Sequence, residues 1–496
     1  MSRPEPLRTL PEQAFRARAR LVALLLCGIC FAGLIARLYW LQLAAGDWYT
    51  RRALGQQLRD TVVPADRGRI YSADGVLLAA NSSCWTLRAS PREMPEEKLT
   101  LAAHGLAEIL ALDEAALLEK FSDRRSNDCL LRYRVDRAAA DAVRDFCEEN
   151  SITGIRINQD SKRWYPQGAF LASVLGFTNV DNAGVAGLEL KYDELLTGEN
   201  GVVLTAVNAW GYTLEQSYET ERFPTEGDGL RLTIDSCIQH YLENALSYAV
   251  QEHHVAARAV GIVMDVNTGG IVAMASYPNY DPGDFSTIYT EGLQAELDAA
   301  LAEIQQNRST YETEEAYNQA LANARATIQF KQWRNKCYQD TYEPGSTFKP
   351  ITLATALEEG VVNMNTTFTC TGSIHVEGWG KAINCSKRAG HGTQTLKVAT
   401  GNSCNPAFVT MGLKIGTEAY YRYLKSFGLM ETTGIDLPGE AGTIMHKKED
   451  MGNVELATVA FGQSFQITAI QLLTTASSII NGGNRITPHF GIEALN

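Results

Sequence analysis

An apolar run close to the N-terminus limits what the whole chain can become. Leu21 to Ala36 carries no charged side chain, and after Arg37 the run resumes as Leu38-Tyr39-Trp40-Leu41-Gln42-Leu43. At about twenty-three residues it is long enough to cross a bilayer as a helix. Arg3, Arg8, Arg16, Arg18 and Arg20 precede it. By the positive-inside rule those arginines stay cytoplasmic, so everything after residue 45 is expected outside. Tyr39 and Trp40 then sit at the outer interface, which Arg37 reaches by snorkelling. The competing reading is a cleaved signal peptide ending near Ala44-Ala45. The apolar segment exceeds a usual signal core, and its small-residue cleavage pattern is poor.

The rest is globular in composition: of 496 residues, 45% are hydrophobic and 20% charged, so two or three domains are expected. A net charge of -13 leaves no broad basic surface to neutralise phosphates, which argues against nucleic acid as a partner. Ten cysteines in a mostly extracytoplasmic chain make disulfides permissible. Cys27 and Cys30 fall in the apolar run and read as packing residues. Cys370 and Cys385 flank the turn-rich segment Thr371 to Asn384, which closes either as a disulfide loop or over two buried thiols.

Chemistry enters at Tyr342-Glu343-Pro344-Gly345-Ser346-Thr347-Phe348-Lys349-Pro350. Pro344-Gly345 signals a turn, and Ile351 to Glu359 reads as a buried helix ending at Gly360. Ser346 opens that helix and Lys349 follows one turn later on the same face. A serine hydroxyl needs a nearby base to become a nucleophile, and a desolvated lysine can be one. Ser-x-x-Lys alone is a weak signal. It gains weight from Ser403-Cys404-Asn405 downstream, because Ser-x-x-Lys followed by Ser-x-Asn is the signature of serine acyl-transferases that react with penicillin.

Around this pair the chain is legible in blocks. Arg67-Gly68-Arg69-Ile70-Tyr71, then Asp74-Gly75 and Val76-Leu77-Leu78, read as strand and turn. From there to about residue 230 short apolar runs alternate with helical stretches such as Glu96 to Leu112, with no acid/base pair, metal spacing or phosphate loop. This is expected to be a spacer. Gly184 to Glu189 reads as a helix start rather than a nucleotide loop. A boundary falls near Pro224 to Gly229. An amphipathic helix on Ile238, Leu242, Ala245, Leu246 and Ala249 follows, then a hairpin from Ala259-Val266 through Asn267-Thr268-Gly269-Gly270 to Ile271-Tyr277. Leu293, Leu297, Leu301 and Ile304, with Tyr317, Leu321, Ala324 and Ile328, mark a helical hairpin inserted at 290–332. No metal and no cofactor are expected. His253-His254 side chains diverge, and His391 reads as a loop residue without assigned chemistry.

Taken together, Ser346-Thr347-Phe348-Lys349, Ser403-Cys404-Asn405, the apolar anchor, the Arg67 segment, the Asp265 to Pro282 hairpin and Ala460 to Thr468 resemble class B penicillin-binding proteins. Within them, Asn402 to Pro406, Gly434 to Glu440 and the Cys370/Cys385 arrangement resemble the sporulation-specific SpoVD type. The resemblance implies an α+β chain. Its expected parts are a cytoplasmic tail over 1–20, an anchor over 21–45, an elongated pedestal over 46–229 and a β-lactamase-like transpeptidase domain over 230–496, an antiparallel sheet flanked by helices. It implies a peptidoglycan DD-transpeptidase acting on stem peptides that end in D-Ala-D-Ala. Ser346 would be the acylated nucleophile, Lys349 its base, Ser403 a proton relay and Asn405 a hydrogen bonder to substrate or Lys349. β-Lactams would trap Ser346, and a membrane glycosyltransferase would be a partner, in division, elongation or spore-cortex synthesis.

The family's third motif, Lys-Thr-Gly, is absent from these residues; Asn267-Thr268-Gly269 lies on the wrong side of Ser346. The expectation is a chain truncated before its last central strands, with an open edge on the Ala259 to Tyr277 hairpin, low stability and little activity. Two other readings stay open, a catalytically inert membrane scaffold and a β-lactamase or β-lactam sensor.

Overall fold

The computed structural model describes residues 13–45, 58–206 and 220–495. Arg3 and Arg8 of the expected cytoplasmic tail lie outside the described residues. The chain divides into two compact units, one of 1–64 with 200–224 and one of 65–199 with 225–496.

In the first unit the apolar run forms the helix Gln13–Tyr39, extended by a π-helical turn Trp40–Ala44. Its stretch Ala17–Leu43 has a mean hydropathy of 2.4 and is long and apolar enough to cross a membrane. The Arg37 guanidinium lies over the Trp40 ring, 4.6 Å from its centroid, a cation–π contact at the end of the span. The same unit holds a three-stranded antiparallel sheet in the order Leu58–Val63, Gly201–Ala206, Thr220–Arg222.

The second unit is built on a mixed sheet. Its order is Gly491–Leu495, Gly229–Leu232, Ile70–Tyr71, Leu77–Ala89, Cys129–Val135, with Ile155–Trp164 also paired to Leu77–Ala89. The expected strand and turn at Ile70 to Leu78 is present, and Gly75 supplies the positive φ of 86° that the turn requires. Gly229–Leu232 pairs in parallel with Ile70–Tyr71, so the strand expected to open the catalytic half belongs to a sheet begun far upstream. Helices Leu99–Leu110, Glu114–Ser122 and Arg137–Glu149 close one apolar core through Leu106, Phe121 and Val143.

The helix Ser236–Glu252 starts where expected, with Asp235 capping the Ile238 N–H at 2.9 Å. Its buried face is turned from the expected one: Ile238 is exposed, and Gln239 is fully buried. The reason is polar. The Gln239 amide accepts from the Met274 N–H at 2.7 Å and donates to the Met274 carbonyl at 2.9 Å, substituting for a strand neighbour. The hairpin Ala259–Met264 with Ile271–Tyr277 is antiparallel, and among the described residues Ala259–Met264 pairs with no other strand. The insert is the helix pair Glu291–Gln306 and Glu314–Trp333, buried through Leu297 and Ile328.

A buried ionic cluster ties this unit together. Arg67 Nε and Arg163 Nε reach the two oxygens of Glu189 at 2.6 and 2.7 Å, and Arg67 Nη1 reaches Asp193 at 2.7 Å. Glu189 is fully buried and both arginines nearly so. Removing one member of such a cluster leaves an uncompensated charge in a low dielectric. Glu189→Ala is therefore expected to lower unfolding free energy by about 3–5 kcal/mol, measured by denaturant titration.

Candidate active site

Two short strands and two helix starts bring the site together. Thr341–Tyr342 pairs antiparallel with Ile467–Thr468, which fixes the chain just before the Pro344-Gly345 turn. The residues Gly345–Phe348 then form one 3₁₀ turn, and the α-helix proper runs Lys349–Glu358. In a 3₁₀ turn residues three apart eclipse one another, so Ser346 and Lys349 stand on one side. The expected helix is thus present, with its first turn tightened. Phe348 is fully buried and meets Phe465 edge-on, ring centroids 4.8 Å apart, which pins the turn from beneath.

A glycine contact sets how close the wall of the site comes. The Gly345 N–H donates to the Gly462 carbonyl at 2.8 Å. Gly462 has φ of 88°, and a Cβ there would lie 1.9 Å from the Gly345 carbonyl oxygen. Only glycine fits at that position.

Ser403 and Asn405 come from a second helix junction. The helix Leu396–Gly401 ends, Ser403 takes a left-handed φ of 48°, and Cys404 caps the helix Asn405–Ser426. A non-glycine residue in that region costs about 1 kcal/mol or more. The turn aims both the carbonyl and the hydroxyl of Ser403 at Lys349.

Lys349 is the centre of the arrangement. Its Nζ donates to the Ser403 carbonyl at 2.8 Å, to Ser403 Oγ at 2.9 Å and to Asn405 Oδ1 at 2.7 Å. Those three bonds match the three donors of an ammonium group. The Asn405 Nδ2 donates to the Asn384 carbonyl at 2.9 Å, which fixes the amide with its oxygen toward the lysine. The Lys349 side chain is 3% exposed. Burial lowers its amine to about 8, against a smaller opposing effect of Cys385 and Cys404. Ser346 is exposed, and among the described residues none hydrogen-bonds to its hydroxyl. As the second residue of a helix start, its N–H is among those with no helical partner and is free to face an anion.

The structure therefore places all four expected residues, Ser346, Lys349, Ser403 and Asn405, at two adjoining helix starts, and links Lys349, Ser403 and Asn405 directly. It also gathers residues that the sequence left apart. Cys370, Cys385 and Cys404 are free, buried thiols, so the disulfide alternative for Cys370 and Cys385 is not the state seen. His391 Nδ1 lies 3.6 Å from Cys385 Sγ. The four potential metal-ligating atoms of Cys370, Cys385, His391 and Cys404 lie within 4.8 Å of one another. Burial works to raise the Cys385 thiol, but hydrogen bonds with the Lys387 and Asn405 backbone and with the Cys370 and Ser386 side chains together leave it below its ordinary value. Spacing gave only a partial hint of the cluster: Cys385 and His391 stand six residues apart, but neither pairs with its neighbours in a recognised ligand spacing, and His391 sits in a glycine-rich loop.

The sequence matches the penicillin-binding protein transpeptidase domain over residues 259–494 and the penicillin-binding protein dimerisation domain over 62–232. It is 33% identical over 483 residues to stage V sporulation protein D of Bacillus subtilis, covering 97% of this chain and 67% of that protein. It is 27% identical over 460 residues to the peptidoglycan D,D-transpeptidase FtsI of Escherichia coli, covering 92% of this chain and 70% of the relative. The fold is shared with penicillin-binding protein 2X of Streptococcus thermophilus, with a TM-score of 0.62 at 21% identity over 88% of this chain and 61% of that one. It is also shared with penicillin-binding protein PBP2 of Helicobacter pylori, solved in complex with MreC, with a TM-score of 0.66 at 22% identity over 88% of this chain and 79% of that one.

The Gly345–Gly462 contact generates a prediction. A methyl group at residue 462 forces the Gly345 backbone outward and carries Ser346 with it. Gly462→Ala is expected to slow reaction of Ser346 with penicillin by about 10²-fold, measured as the acylation rate at constant fold content by circular dichroism.

Proposed function

We propose that this chain, which belongs to the penicillin-binding protein family of peptidoglycan D,D-transpeptidases, cross-links stem peptides through an acyl-enzyme on Ser346. The observation that carries this reading is the buried Lys349 amine, held by Ser403 and Asn405 one helical turn from an exposed serine.

The steps follow from the groups present. Lys349, as the free amine, takes the Ser346 proton while Oγ attacks the carbonyl between the two terminal D-alanines. The Ser346 N–H stabilises the oxyanion, an effect worth a few kcal/mol for a well-placed donor. Ser403 Oγ, 2.9 Å from Lys349 Nζ, passes the proton to the departing D-Ala amine. Asn405 keeps the lysine in place and offers its amide to the substrate backbone. An amine from a neighbouring stem peptide then attacks the ester and regenerates Ser346. A β-lactam enters the same path and stays as a slowly hydrolysed ester.

The surrounding chain fits that role. We assign residues 1–20 to a cytoplasmic tail, 21–45 to a single-pass anchor and 46–229 to a pedestal. Residues 230–496 form the transpeptidase region, with its helical insert at 290–332. The flanking arginines support an N-terminus in the cytoplasm and a site outside the membrane. A polymerising glycosyltransferase in the same membrane is the partner we assign to the anchor and pedestal, because cross-linking needs freshly made glycan strands.

The nucleophile is tested by incubating membranes that contain the protein with penicillin and mapping the adduct by peptide mass spectrometry, a readout that does not need fast turnover. A penicilloyl group on the Ser346 peptide is expected, lost in Ser346→Ala; an adduct on any other residue overturns the assignment. The pH dependence has a definite sign. Lys349 acts in its deprotonated form, and with its amine near 8 only about a tenth is free at pH 7. Acylation is expected to rise with pH and level off above about 8, and a profile flat from pH 6 to pH 9, both taken as approximate bounds around that value, removes Lys349 as the base.

A further inference from the structure

Three thiols and an imidazole converge directly behind the Ser403–Asn405 turn. Cys370 ends the strand Thr367–Cys370, Cys385 follows the strand Ile383–Asn384, His391 precedes the strand Gly392–Thr395, and Cys404 caps the helix Asn405–Ser426. Their ligand atoms lie within 4.8 Å of one another. The exposures of the three cysteines are 2%, 2% and 0% in chain order.

Ordinary core packing does not account for this set. A single buried cysteine behaves as a small hydrophobe, but an imidazole facing three sulfurs gains no apolar neighbour from them. A disulfide uses two of the three sulfurs and leaves the third with the histidine. A tetrahedral ion uses all four. Zinc–sulfur bonds of about 2.3 Å give tetrahedron edges of about 3.8 Å, so ligand atoms within 4.8 Å of one another would move inward by at most about 0.6 Å each. Soft thiolates with one imidazole select zinc, whereas calcium and magnesium require oxygen ligands.

The loop that carries the ligands is built to close. A Cβ on Gly372 would lie 1.9 Å from the Arg388 carbonyl oxygen, and one on Gly390 would lie 2.3 Å from the Cys370 carbonyl oxygen. The Cys385 N–H donates to the Gly372 carbonyl at 2.9 Å. On the other side, Cys404 stands between Ser403 and Asn405, and Asn384, next to Cys385, holds the Asn405 amide.

We propose that Cys370, Cys385, His391 and Cys404 bind one zinc ion in a tetrahedral Cys₃His site, and that the ion holds Ser403 and Asn405 in place against Lys349. On binding, three thiols release three protons and the dication with three thiolates carries a net charge of -1. The four ligands are positioning residues: they touch neither substrate nor the reacting atoms.

The test uses the full chain purified in detergent without chelator or added oxidant. Elemental analysis is expected to give about one zinc per chain. Replacement by cobalt is expected to give the visible bands of a tetrahedral site and an ultraviolet thiolate-to-cobalt transition. Cys385→Ser and His391→Ala should each lower zinc content well below that of the parent chain. Chelation should slow penicillin acylation of Ser346 by about tenfold or more, with recovery on adding zinc and none on adding magnesium. Parent protein that takes up neither zinc nor cobalt overturns the site, as does a Cys370–Cys385 disulfide in the protein as isolated. Zinc bound equally by both variants also overturns it, and acylation unchanged by chelation overturns its positioning role. The metal readouts do not depend on Ser346, so a failed nucleophile assignment leaves them interpretable.

Discussion

A lysine amine taken almost wholly out of water needs every one of its hydrogen bonds supplied by protein, and the rest of the site follows from how Lys349 meets that need. Its three acceptors come from two residues on either side of Cys404. Fully paired, the ammonium form is tolerated; burial still presses it toward the neutral amine. The result is a group whose proton is loosely held near neutral pH, which is what a base for a serine hydroxyl requires. When that proton leaves, the Ser403 hydroxyl can turn and donate to the lone pair, as the proposed proton route requires.

Such an arrangement tolerates little slack, and the backbone shows where slack was removed. Ser403 sits in a left-handed conformation that places its carbonyl and hydroxyl on one side. Gly462 allows a second backbone to touch Gly345. The short pairing of Thr341–Tyr342 with Ile467–Thr468 brings the residue 460 segment to the nucleophile turn. Each device adds a small local strain or a rigid contact, and together they hold Ser346 and Lys349 on one face without any direct bond between them. A gap between the proposed nucleophile and base in the free protein is compatible with the proposed reaction, since such hydrogen bonds tighten when substrate closes over them.

What could be read from the chain, and what could not, divides by distance along the sequence. Ser346 with Lys349 and Ser403 with Asn405 are local patterns, so their helix starts and shared faces follow from periodicity and turn chemistry. The anchor, the Ala259 to Tyr277 hairpin and the insert helices are also local. Contacts between distant polar groups left no such trace. Gln239 looked like a solvent residue on an amphipathic helix, yet it is buried because it bonds the Met274 backbone. Arg67 lies in a conspicuous segment, but its partner Glu189 lies 122 residues away at what reads only as a helix start. Cys370 and Cys385 could be paired from the sequence, but His391 and Cys404 join them only when separate strands and a helix cap come together in the fold.

These two kinds of contact meet at one peptide. Cys404 belongs to the ligand set, and its neighbours Ser403 and Asn405 belong to the lysine's set, so neither can shift without the other. Asn384 and Cys385 repeat the pattern on the opposite loop, the first bonded to the Asn405 amide and the second turned toward the cluster. The proposed ion, held by four side chains, would pull from behind on the same turn that Lys349 holds from in front. Two adjacent peptides loaded from both sides have far less freedom than a helix cap facing solvent. The Lys349 bonds already meet a Ser403 in its left-handed conformation, and the proposed ion would add a second hold on the same turn.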